Sequence, residues 1–143
     1  MNETIRKFGY PATLVREYRH WLVLLRPAQP TLGALVLTAK SDATAFADLE
    51  PEAFAELGAV TAGIETALKA AMEYARINYL MLMMVDPHVH FHVIPRYEGA
   101  RSACDLTIAD AGWPKLPALG KPLALNEAQI AAMNEWLTGY WPD

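Results

Sequence analysis

Three of the chain's four histidines stand at alternate positions in one stretch, His88-Val89-His90-Phe91-His92-Val93-Ile94-Pro95-Arg96-Tyr97. Val89, Phe91 and Val93 between them are apolar and suit a strand. A β-strand turns successive side chains to opposite faces. The pattern therefore predicts that His88, His90 and His92 project from one face, roughly 6–7 Å apart, with the apolar set on the other. Near neutral pH an imidazole serves as nucleophile, proton carrier, donor to phosphate oxygens or metal ligand. In one reading His90 attacks phosphorus with a neutral ring nitrogen. An acceptor holds its other nitrogen, and His88 and His92 orient it or donate to phosphate oxygens. In a second, two or three imidazoles share a Zn²⁺. In a third they are satisfied core or surface histidines. Alternation alone does not separate catalysis from metal binding. Asp86 is the only carboxylate close by in sequence, and no Cys-His or paired-carboxylate cluster elsewhere supplies further ligands.

Positioning such a row takes a sheet, and the flanking sequence supplies one. Residues 1–13 read as an arm ending in Gly9, Tyr10 and Pro11. Leu14 to Tyr18 and His20 to Leu25 read as strands, the second apolar on both faces and so buried on both sides. Arg26-Pro27-Ala28-Gln29-Pro30 reads as a turn, since two prolines so close do not fit a ladder. Gly33 to Thr38 is the returning strand. Pro51 suits the first turn of a helix, with Glu50, Glu52 and Glu56 near its positive end. Phe54, Leu57, Thr61, Ile64 and Leu68 recur at helical spacing to about Tyr74. Gly58 and Gly63 weaken that helix, and close packing on the sheet would account for them. Ile77 to Val85 is a further strand, joined to the histidine strand across Asp86-Pro87 and so its antiparallel neighbour. Met81, Met83 and Met84 read as adaptable packing. Residues 98–123 read as an irregular excursion containing Trp113. Asn126 with Gln129 forms a capping box, and Leu125 with Ile130 a staple, for a last helix with Ile130, Met133 and Leu137 inward. The expected fold is one α+β domain over residues 1–143. It has an antiparallel sheet of about five strands, one long helix and a C-terminal helix, with a core at about 10–97.

The whole-chain properties narrow the chemistry. A chain of 143 residues, 53% hydrophobic and 20% charged, forms a folded domain with a sizeable core. Its formal net charge of −4 leaves no electrostatic footprint for nucleic acid. A polyanionic substrate must then be met by local donors. The single cysteine, Cys104, excludes an internal disulfide and fits a small loop residue in a reducing compartment. The first ten residues lack a signal-type apolar core, and no apolar run approaches the ~20 residues that span a bilayer. The expected setting is cytoplasmic, with no membrane partner.

The stretch His88-Val89-His90-Phe91-His92-Val93-Ile94, continued by Pro95-Arg96, resembles the alternating signature of the histidine triad (HIT) superfamily. The order of strands, long helix and strand pair over residues 14–97 is similar to the HIT core. Among its members the likeness is to the bacterial HIT proteins often labelled diadenosine tetraphosphate hydrolases. The resemblance implies a HIT-like fold and a homodimer that binds a nucleotide or nucleotide-like phosphate ester. By the same resemblance His90 attacks the α-phosphate to form a nucleotidyl-histidine, His92 donates to the phosphate, and the backbone around His88 fixes the tautomer of His90. No metal ligates the triad and no cofactor is required, although divalent cations accompany a polyphosphate substrate.

The chain departs from that pattern at several positions. Gly33 is followed by Ala34 where many members carry a fourth histidine, and His20 lies much earlier, which fits a structural role beside Trp21. Met83-Met84-Val85 replaces the usual Gly-Gln and its polar neighbour. The ribose-binding Asp or Asn of the family falls near Leu25 or Arg26, so Arg26 is a candidate substrate contact or a surface cation. Asn78 lies one residue out of register from a frequent HIT asparagine and is a second candidate substrate contact. Two alternatives to a hydrolase or transferase follow: a nucleotide-binding regulatory protein with little turnover, and a metal-dependent hydrolase.

Overall fold

The run Trp-Leu-Val-Leu-Leu at 21–25 has no polar side to give to water, and the computed structural model, which describes residues 1–142, buries all five. In chain order the elements are helix α1 (Glu3–Lys7), strands β1 (Leu14–Glu17), β2 (Trp21–Leu25), β3 (Ala28–Gln29) and β4 (Leu35–Ala39), and helix α2 (Pro51–Met72). Strands β5 (Arg76–Leu80), β6 (His90–Arg96), β7 (Ala100–Ala103), β8 (Leu106–Ala109) and β9 (Leu123–Ala124) follow, then helix α3 (Glu127–Thr138). Five strands form one antiparallel sheet in the order β1-β2-β4-β6-β5. This is the expected α+β architecture, with a long helix and a C-terminal helix.

Register decides what each face of the sheet carries. Directly opposed residues of antiparallel strands share a face. Leu22 opposes Thr38, which opposes His90, while Leu24 opposes Val36, which opposes His92. The other face presents Trp21, Val23, Leu25, Leu35, Leu37 and Val93 to Val60, Ile64 and Leu68 of α2 and to Met133 and Leu137 of α3. The histidine face is smaller and apolar at its centre, where Leu22, Leu24 and Val36 pack under Ile5 of α1. The N-terminal arm thus covers the same face that carries the histidines.

Pro51 does open α2, and its C-cap Glu73 stands at φ 48. The buried face is shifted from the expected stripe. It is made by Ala53, Val60, Gly63, Ile64, Ala67, Leu68 and Met72, while Phe54 is 38% exposed and packs on Phe46. Small residues let the helix approach the sheet, and the indole N–H of Trp21 reaches the Ala53 carbonyl at 2.8 Å. Large side chains at Phe54 and Leu57 are left to the margin.

Four expectations are corrected by the observed strand bounds and pairings. The Arg26–Pro30 segment is not only a turn: β3 lies between its two prolines and pairs with β9 of the tail. Gln29 closes the loop from inside, donating to the Arg26 and Ala34 carbonyls and accepting from the Gly33 and Ala34 amides. Residues 98–123 contain the β7–β8 hairpin, turned at Cys104 and Asp105, both at positive φ. The strand expected to reach Val85 ends at Leu80, and residues 81–89 are an irregular link. The histidine strand begins at His90, so His88 stands outside the ladder. The capping box at Asn126 and Gln129 is formed as expected. Among the described residues no helix is long and apolar enough to cross a membrane.

The two glycines of α2 differ in what surrounds them. A Cβ on Gly63 would come within 2.6 Å of the Tyr18 hydroxyl and 3.1 Å of the Trp141 indole nitrogen, whereas nothing lies within 4 Å of one on Gly58. Gly63→Ala should cost about 1–3 kcal/mol, and Gly58→Ala should add up to about 1 kcal/mol. Urea unfolding of both variants checks the opposite signs.

Candidate active site

Strand β6 holds His90 and His92 on one face because it is clamped on both sides, by β4 and by β5. The two imidazoles lie edge to face with centroids 5.1 Å apart. Phe8 covers both, its ring centroid 5.7 Å from each. His90 is 1% exposed and His92 8%. A shallow recess of about 190 Å³ opens beside them, walled by Leu82, Met83, Met84, Val85 and Asp86. Asp86 is held by Lys7 at 2.8 Å, so the wall presents mainly apolar groups. Met84 and Val85 are 84% and 83% exposed.

His88 enters the site through its backbone. Its carbonyl oxygen lies 2.7 Å from His90 Nδ1. Its own ring turns away to the Thr4 hydroxyl, with Nδ1 at 2.9 Å. A carbonyl only accepts, so His90 Nδ1 carries the hydrogen, and the neutral ring keeps its lone pair on Nε2.

His92 takes the opposite tautomer. Arg26 Nε approaches His92 Nδ1 at 3.4 Å, and a guanidinium can only donate. Nδ1 is therefore the acceptor, and the neutral ring carries its hydrogen on Nε2. Burial first, then the charges of Arg26 and His90, push the His92 pKa down to about 4 against the opposing pull of Asp86. The site thus pairs one ring nitrogen with a free lone pair and one with an N–H to donate. That combination suits attack on an electrophile whose oxygens need a donor.

The structure brings Arg26 to the histidines and keeps Asn78 apart from them. Burial lowers the Arg26 pKa, and its Nη1 also donates to the Ala28 carbonyl, so the side chain is fixed between β3 and His92. Asn78 accepts from Arg96 Nη1 at 2.8 Å. Arg96 is itself gripped by Asp110 at 2.7 and 3.1 Å, and Asp110 also takes the Tyr97 and Gly112 amides. His20 lies elsewhere, lining a recess with Lys40 and Ala53 near the start of α2, its amide donating to Glu56. Thr4, Phe8 and Asp110 carry no motif of their own. The one available signal was Arg96, a cation in a buried strand, which demands an acidic partner. Among the described residues no group of three or more His, Cys, Asp or Glu side chains could hold a metal ion.

A second, larger opening runs along the free edge of β5. It has a volume of about 590 Å³ and is bounded by Arg76, Asn78, Leu80 and Arg96 on one side and by Trp113, Lys115 and their neighbours on the other.

Comparisons with known proteins agree with this fold. A family model, the HIT domain, matches residues 10–99. A histidine triad protein from Bradyrhizobium japonicum superposes with a TM-score of 0.74 at 21% identity, over 99% of this chain and 96% of that one. One from Sinorhizobium meliloti gives a TM-score of 0.75 at 22% identity, over 98% and 95%. A third, from Marinobacter aquaeolei, gives 0.75 at 21%, over 99% and 94%. These likenesses establish the fold. No curated protein sequence matches the chain.

The His92 environment predicts a pH dependence. Its pKa is about 4 in the fold and about 6.5 in the unfolded chain. Below about 6.5 the unfolded state takes up a proton that the native state refuses, so this contribution to stability is lost as pH falls from about 6.5 to 4. Ring ¹⁵N NMR should find His92 neutral, with hydrogen on Nε2, between about pH 5 and 8. Arg26→Gln should raise its midpoint. A wild-type midpoint near 6.5 would contradict the assignment.

Proposed function

The chain belongs to the HIT domain family, and on that premise we propose that it is a nucleotide-phosphate hydrolase or transferase with His90 as nucleophile. The observation that carries the reading is the 2.7 Å contact between His90 Nδ1 and the His88 carbonyl, which leaves the lone pair on Nε2. Nε2 attacks the α-phosphorus, a P–N bond forms, and the bond from phosphorus to the leaving group breaks with its electron pair going to that group. The ring becomes a nucleotidyl-imidazolium whose Nδ1–H stays on the carbonyl. Water then attacks phosphorus, gives a proton to solvent, and returns the electron pair to Nε2 as nucleoside monophosphate departs. His92 Nε2–H donates to a phosphate oxygen, and Arg26, beside it, adds positive charge where charge develops. Splitting one displacement into two lowers the barrier of each.

The substrates are compounds with a nucleotidyl group on a leaving group: diadenosine polyphosphates, nucleoside phosphoramidates or adenylylated small molecules. Divalent cations enter with a polyphosphate substrate and are not ligands of the histidines. Asn78, which lines the opening along β5, would contact substrate only beyond the reacting phosphate. The exposed Met84 and Val85 beside the site support a homodimer, in which a second copy covers them. The setting is cytoplasmic.

A second reading rests on the wall of the recess. Residues 82–85 offer only backbone polarity near the histidines, and one missing transition-state donor can cost roughly 10²–10³ in rate. A nucleotide-binding protein with slow turnover would bind AMP in calorimetry and release no product from a substrate panel.

With diadenosine tetraphosphate as substrate, His90→Ala should lower nucleotide release by at least about 10³-fold and His92→Gln by about 10²-fold. Equal rates in wild type and His90→Ala would remove His90 from the reaction. Light scattering should give twice the chain mass, and Met84→Glu with Val85→Glu should shift it to the monomer.

A further inference from the structure

We infer that the N-terminal arm gates the active site, with the Phe8 ring as plug and the Lys7–Asp86 ion pair as clasp. A nucleotide reaches His90 only after the ring turns outward and the clasp parts. What passes the gate rests on the nucleotide reading above; the closure itself does not.

The space beside the histidines is too small for such a ligand. The recess holds about 190 Å³, against the roughly 300–1,000 Å³ of sites that take small molecules. His90 is 1% exposed and His92 8%, so the ring nitrogen that must meet phosphorus is shut away from solvent. Phe8 is the group that shuts it, since its ring stands 5.7 Å from the centroid of each imidazole.

The arm is fixed at its root and free at its end. Thr4 and Ile5 are buried, Asn2 donates to the Ser41 carbonyl at 3.1 Å, and the Thr4 hydroxyl meets the His88 ring. Phe8 is half-buried and Lys7 is exposed. The Phe8 backbone is held, its amide donating to the Thr4 carbonyl at 3.2 Å and its carbonyl accepting from the Thr13 hydroxyl at 2.8 Å. Opening is therefore a rotation of the Phe8 side chain between rotamers, which breaks no hydrogen bond.

The facing wall is looser than the arm. Leu80 pairs with His92 in the ladder, and Val89 donates to the Ala43 carbonyl and accepts from the Ala39 amide. Between these anchors residues 81–88 make no backbone–backbone hydrogen bond among the described residues. Lys7 Nζ at 2.8 Å from Asp86, with the Thr4–His88 contact, ties this segment to the arm. An ion pair whose lysine side chain is 53% exposed is a weak tie. That suits a contact that opens and closes.

Labelling with diethyl pyrocarbonate, followed by peptide mass spectrometry, reads the gate without any nucleotide. In wild type His90 should react at least about fivefold more slowly than the half-buried His20, as an open fraction below about one fifth requires. Phe8→Ala should bring the two rates together. Stopped-flow mixing with N-methylanthraniloyl-AMP reads entry. Phe8→Ala should raise the association rate about fivefold, and Lys7→Gln and Asp86→Asn should each raise it about two- to fivefold. The last two variants change the charge in opposite senses. Simple attraction or repulsion of an anionic ligand would move them in opposite directions, whereas a lost clasp moves both upward. Lys7→Gln, on an exposed side chain, keeps the test open if Phe8→Ala folds poorly. Wild-type His90 labelled as fast as His20, or opposite shifts from the two charge variants, would overturn the gate. No binding of the labelled AMP would overturn the nucleotide reading, and the labelling comparison would still decide the gate.

Discussion

The hydrogen bond from His90 Nδ1 to the His88 carbonyl is the constraint on which the site depends. It exists because the ladder with β4 begins at His90 and leaves the residue two positions earlier outside the sheet. A carbonyl committed to a neighbouring strand would be a poorer acceptor for the ring. The break at residues 81–89, which interrupts what the sequence presents as one long strand pair, is therefore part of the chemistry. Thr4 reinforces it by taking the His88 ring, which holds that residue against the N-terminal arm.

From that contact the remaining arrangement follows. A lone pair on His90 is useful only beside a donor, and Arg26 sets His92 in the donating tautomer while helping to keep it neutral. Both rings need a rigid strand, and β6 has one because β4 and β5 clamp it and the Arg96–Asp110 pair ties down its far end. Phe8 and Ile5 exclude water from the same face. In an acidic chain, positive charge is placed locally: Arg26 at the histidines, and Arg76 and Lys115 along the neighbouring cleft.

Much of this was legible in the sequence because it is periodic or local. Alternation placed His90 and His92 on one face, the all-apolar run at 21–25 announced a strand buried on both sides, and the Asn126 cap marked α3. Register was less accessible. Nothing between Ile77 and Val85 distinguishes strand from link, so alternation alone puts His88 in the ladder, and only the family resemblance points to its backbone. The β3–β9 pair and the β7–β8 hairpin depend on partners or turn geometry that propensity does not reveal. Arg26 was visible as a cation near a substrate position, but its contact with His92 spans 66 residues of sequence. Asp110, fourteen residues beyond Arg96, has no local signal at all. In α2 the larger apolar residues suggested the buried stripe, whereas close approach to the sheet selected the small ones.

The central claim is that His90, through Nε2, becomes covalently nucleotidylated. The most direct measurement is peptide mapping by mass spectrometry after rapid alkaline quench of wild-type protein mixed with an adenylylated substrate. The account predicts one acid-labile, alkali-stable adenylyl group on the peptide containing residues 88–96, localised by fragmentation to His90 and absent from His90→Ala. An adduct on His88 or His92, or turnover with no adduct detectable on the millisecond scale at which product appears, would contradict it.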